Sequence, residues 1–168
     1  MTIERETCQG CGAVLERIDG PSHDYMLSSP ACFERYTQIL AAEYSDPALM
    51  RIHRLSVDSF AIQHPGSLTD RRAIQSVGLH LARLAMQLEH LRTPQQANDI
   101  MLTLGRHKAE LIWLEPPRRF AITAKDIAEV AGTPDHSDRV IEWARAAWED
   151  WSAHHAYILA RAARHMGS

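Results

Sequence analysis

All three cysteines of this 168-residue chain lie within its first 32 positions. Cys8 and Cys11 stand in CQGCGA, a spacing that lets two thiolates turn toward one ion, and the following Gly12 tolerates the positive φ such a turn needs. Cys32 ends the segment PSHDYMLSSPAC, which also carries His23. Its place at the opening of a helix favours the ionised thiol, because unpaired N–H groups and the helix dipole face it. A fourth ligand comes either from His23 in the same loop or from a histidine of the helical region, such as His53. His23 is the simpler choice and gives the set Cys8, Cys11, His23 and Cys32, which suits zinc. Four protein ligands would make the site structural, and three plus water would leave a Lewis acid; both remain open at this point. Two other readings also stand: a reversible Cys8–Cys11 disulfide resolved by Cys32, and ordinary small cysteines beside a loop histidine.

Ten histidines are many for this length. On the second helical segment Leu49, His53, Val57, Phe60 and His64 form one stripe, since the eleven residues from His53 to His64 make about three turns. His80 lies on a stripe with Ala73, Val77, Leu84 and Leu88, and His155 on one with Val140, Ala144, Trp148, Trp151, Ile158 and Ala162. Any one of them is ordinarily a core histidine with satisfied ring nitrogens. Inward imidazoles on facing helices are also how bundles build metal and catalytic sites, so His53, His64, His80 and His155 are the catalytic candidates. Asp58 joins them, about 140° around its helix from His53, where it orients a histidine or pairs with Arg54. Trp143, Trp148 and Trp151 read as core mass. Arg71, Arg72, Arg118 and Arg119 read as solvated surface, with Arg71 and Arg72 placed to meet an anion at a helix start.

The elements that must position these groups are marked by punctuation. Residues 1–29 hold Gly10, Gly12, Gly20 and Pro21 with little periodicity and form a looped, metal-binding segment with a short hairpin around GAVLERI. From Pro30 the helical period takes over. Ser29-Pro30 opens a helix, Asp46-Pro47 opens the next, and that one stops at His64-Pro65-Gly66. Ser67 or Thr69 caps a helix running to Thr93, and Thr93 caps another that reaches toward Ile112. EPPRRFAI is an exposed connection. TAKDIAEVAG is a short helix, and one long helix follows Thr133-Pro134 to the end. The fold expected is all-α: an antiparallel helical bundle of four long helices plus one short helix over 30–168, with the Cys-rich knuckle of 1–29, in a single domain.

Apolar residues make up 45% and charged residues 23%, as in soluble globular proteins. The formal charge of −3 is spread without a basic block, which argues against nucleic acid as a partner. No stretch approaches the roughly 20 apolar residues of a membrane span, and the polar N-terminus MTIERETC has no signal-like core. These two features place the protein in the cytoplasm, and an odd cysteine count, which disfavours a disulfide-stapled secreted domain, agrees. The partner expected is a small molecule or another protein, and a homodimer is possible.

CQGCGA, PSHDYMLSSPAC, HRLSVDSFAIQHPG and RRAIQSVGLHL together resemble a family of small bacterial proteins known only as a domain of unknown function, with the likeness running to WEDWSAHH. The matching segments contain Cys8, Cys11, His23, Cys32, His53, Asp58, His64, His80 and His155. A looser resemblance is to metal-dependent helical bundles of the damage-inducible type, in which three histidines from different helices hold a divalent metal; His53, His80 and His155 would be the matching triple. Two functions are therefore expected. The first is a zinc-binding helical protein with a structural or regulatory site; the alternative is a metal-dependent hydrolase or transferase with a His-rich centre in the bundle.

Overall fold

A computed structural model describes residues 3–166. It is mostly helical, with one small antiparallel hairpin of β1 (Arg5–Thr7) and β2 (Val14–Glu16), in the register Arg5 opposite Glu16 and Thr7 opposite Val14. The chain then forms α1 (Pro30–Ser45), α2 (His53–Gln63), α3 (Arg71–Leu88), α4 (Pro94–Gly105), α5 (Ala124–Ala128), α6 (His136–Asp150) and α7 (His155–Ala163).

The described residues thus carry seven α-helices where four long ones and a short one are expected, and several boundaries move; α4 stops at Gly105 instead of reaching toward Ile112, with a short 3-10 turn at Lys108–Glu110 after it. Asp46 ends α1 instead of opening α2; its carboxylate accepts from the Ala48 N–H at 2.9 Å and supports a short 3-10 turn at Leu49–Arg51. Asp70, in place of Ser67 or Thr69, caps α3 by accepting from the Arg72 N–H at 2.9 Å. The long final helix is broken at Trp151 into α6 and α7. Two expected caps are present: Ser29 Oγ accepts from the Cys32 N–H at 3.2 Å, and Thr93 and Gln96 form a reciprocal capping box.

Two buried clusters share the helices. One gathers the N-terminal segment, α1 and α5 around Phe60 and Trp143; the other lies between α3, α4, α6 and α7. Leu55 and Phe120 touch both. The tryptophans are core mass, as expected, and also tie down the end of α2. Trp143 Nε1 donates to Gln63 Oε1 at 3.0 Å, Trp151 Nε1 donates to the Ile62 carbonyl at 3.1 Å, and Gln63 Nε2 donates to the Ile122 carbonyl at 2.7 Å. His64, the next residue, is therefore held on a rigid helix terminus.

Candidate metal centre

Three segments far apart in sequence meet at one point. The turn after β1 brings Cys8 and Cys11, its shape set by the Gly12 N–H donating to the Cys8 carbonyl at 2.9 Å and by Gly12 at φ 77°. The first turn of α1 brings Cys32, and the end of α2 brings His64. Cys8, Cys11 and Cys32 Sγ and a ring nitrogen of His64 all lie within 4.8 Å of one another, and the four residues are at most 6% exposed. No other such His, Cys, Asp and Glu group of three or more occurs among the described residues.

The separations fit a tetrahedral ion. With Zn–S near 2.3 Å and Zn–N near 2.0–2.1 Å, a regular tetrahedron has S···S edges of about 3.8 Å and S···N edges of about 3.5 Å. Cys11 and Cys32 Sγ are 3.7 Å apart, and Cys32 Sγ is 3.3 Å from His64 Nε2. The imidazole is also oriented for the task. His64 Nδ1 donates to the Phe60 carbonyl at 2.7 Å, which leaves the Nε2 lone pair facing the thiols, the outer-partner arrangement usual for a metal-bound histidine. Its ring stacks on Phe60 with centroids 3.9 Å apart, and Phe60 stacks on Tyr36 at 3.9 Å.

Ionisation of the thiols points the same way. Cys8 is pulled well below the ordinary thiol range by hydrogen bonds from Cys11 and then Cys32, against the effect of burial. Cys11 is pushed up to about 12: the hydrogen bond with Cys32 lowers it, but that with Cys8, burial and the Cys8 charge outweigh this. Cys32 is pushed far higher by its hydrogen bonds to Cys11 and Cys8 and by burial. Crowding by two other sulfurs therefore overrides the helix-dipole preference expected for Cys32. Protons held among three crowded thiols are ones that a bound dication would displace.

His23 stands outside this group. Its Nδ1 accepts from the Met26 N–H at 3.3 Å and the Tyr25 N–H at 3.4 Å, so it shapes the 23–26 turn. His53, His80 and His155 do not meet. His53 Nδ1 is 2.6 Å from Glu43 Oε2, His80 Nδ1 is 2.7 Å from Asp58 Oδ1, and His155 Nε2 is 2.8 Å from the Trp148 carbonyl, its ring stacked on Trp148. Asp58 is fully buried and held by Arg83 and Gln87 as well as His80, so its partner is not Arg54. Arg71 is exposed, as expected of surface, but its guanidinium is committed within the chain: it donates to the carbonyls of Leu111, Lys108 and Ala109.

Sequence reading missed Glu43, a fully buried carboxylate bound by His53, Ser56 and His136. A signal existed, since Glu43 continues the stripe of Tyr36 and Ile39 on α1. It also missed Gly10. A β-carbon there would lie 2.3 Å from the Leu27 carbonyl oxygen and 2.6 Å from His64 Cδ2, so only glycine lets the turn seat against the end of α2.

Residues 6–152, which include all four clustered side chains, match a family of unknown function (DUF5946). The chain belongs to that family. No curated protein and no solved structure matches it. No helix among the described residues is long and apolar enough to cross a membrane.

Proposed function

We propose that this member of the family binds one zinc ion through Cys8, Cys11, Cys32 and His64, and that the ion pins the N-terminal hairpin to α1 and α2. The observation that carries the reading is the mutual approach of four buried ligand atoms from three segments, with the second nitrogen of His64 already committed to the Phe60 carbonyl. Thiolate-rich sets of four favour zinc over harder ions. A shell filled by four protein ligands leaves no position for a substrate, so the role is structural or regulatory. A cleft of about 610 Å³ lies against Cys8 and Cys11, walled by Trp113, Glu115 and Arg118 of the connection before α5, and offers a route by which a partner would sense the state of the site. A cluster of thiols kept reduced suits the cytoplasm.

The separate commitments of His53, His80 and His155 do not favour a metal-dependent hydrolase or transferase built on them. Elemental mass spectrometry of the purified protein tests the reading. Zinc near one per chain, lost in Cys32→Ser and His64→Ala and retained in His23→Ala, supports it. Zinc that survives both of the first two substitutions overturns it.

A further inference from the structure

A second cavity borders α3. Arg72, Ser76 and His80 follow one another at intervals of four residues, which places them on one face of the helix. They line a cavity of about 320 Å³ with Tyr25, Met101 and Lys108 among the other wall residues. This is the lower end of the about 300–1,000 Å³ range of small-molecule pockets.

The wall has an unbalanced charge. It carries the Arg72 guanidinium and the Lys108 ammonium, and no carboxylate among the described residues. The fold positions the Arg72 guanidinium and the backbone that carries Lys108. Arg72 lies over the Tyr25 ring with its Cζ 5.3 Å from the centroid, and Arg71 ties the Lys108–Leu111 segment to the start of α3 through three carbonyls.

His80 adds direction. Its Nδ1 donates at 2.7 Å to Asp58, a carboxylate that Arg83 grips with Nε at 3.0 and 3.1 Å and Nη2 at 2.7 Å, so the orientation of the ring is fixed. Its side chain is 13% exposed. Ser76 is 9% exposed, and its buried hydroxyl has no hydrogen-bond partner. A fixed imidazole and two cations on one wall, with an unpartnered buried hydroxyl behind them, make a recognition pattern with no counterpart inside the protein.

We infer that this cavity binds a small molecule carrying an oxyanion, phosphate or carboxylate, beside a hydroxyl group. Arg72 and Lys108 pair with the anion, His80 Nε2 hydrogen-bonds the ligand hydroxyl, and Tyr25 and Met101 flank its body. Asp58 acts through His80 as a positioning residue.

Amide NMR titration of the full chain tests the assignment with glycerol phosphate, inorganic phosphate, lactate and glycerol. Saturable shifts at residues 72–80 and at Lys108 with glycerol phosphate or lactate, and none with glycerol, support the site; which of the two binds more tightly names the oxyanion. Combined Arg72→Gln and Lys108→Gln changes, both at the surface, weaken that binding by roughly tenfold or more while the spectrum stays folded. His80→Gln abolishes the preference for glycerol phosphate over inorganic phosphate. Absence of saturable shifts up to about 10 mM of every anion, or binding unchanged in the double variant, overturns the inference. An unchanged preference in His80→Gln overturns the role given to His80.

Discussion

Cys32 Sγ lies 3.3 Å from Nε2 of His64, although 32 residues separate them. The contact joins the first turn of α1 to the residue that caps the end of α2, and Cys8 and Cys11 close over it from the hairpin. Three elements therefore meet at this point.

Loss of His64 therefore costs more than loss of His23. His64→Ala is expected to weaken zinc binding by more than the roughly 10–100-fold that removal of an outer partner costs, whereas His23→Ala leaves affinity within a few-fold of the parent. Competition with a chromophoric chelator measures both.

Metal removal is expected to loosen the N-terminal segment first. Chelation at neutral pH lowers amide exchange protection over residues 5–32 and at the end of α2, while α3 and α6, packed around Leu81, Leu84 and Trp148, keep theirs. Acidification does the same, and the sign follows from the ligands. Thiolates and imidazole must lose protons to bind, so affinity falls as pH falls and protons are taken up on release. Hydrogen exchange with and without chelator, followed by a zinc-release titration, checks the order.

Gly10→Ala is expected to destabilise by about 1–3 kcal/mol and to lower metal affinity, because the added methyl drives into the Leu27 carbonyl and the His64 ring. Gly105→Ala, at the end of α4 with nothing within 4 Å of a new β-carbon, is the matched control and is expected to be neutral or slightly stabilising. Thermal melts of the two variants with metal present separate crowding at the site from a general effect of losing glycine.

Asp58→Asn is expected to cost about 3–5 kcal/mol, since it leaves the Arg83 guanidinium buried without its charge partner. Zinc content stays unchanged, because no clustered ligand touches Asp58. Urea denaturation of Asp58→Asn, Arg83→Met and the double variant gives the coupling between them; a coupling near zero contradicts this account.

Local chemistry in the sequence was enough for the helix starts at Ser29-Pro30 and Thr93-Pro94, the stop before His64-Pro65-Gly66 and the pairing of Cys8 with Cys11, because caps, prolines and a two-residue spacer act within a turn of chain. It also marked Cys32 and the family resemblance. The break at Trp151 was hidden because apolar residues continue through it at helical period, without glycine or proline, and the turn is held from outside by the Ile62 carbonyl. The identity of the fourth clustered side chain was settled only by tertiary packing. His23 is nearer in sequence, yet its Nδ1 is taken by its own turn, and His64 reaches the thiols because Trp143, Trp151 and Gln63 fix the end of α2 beside them. The same holds for Glu43 and Asp58: a stripe shows that a carboxylate faces inward, but which histidine or arginine meets it depends on how helices distant in sequence are laid against one another.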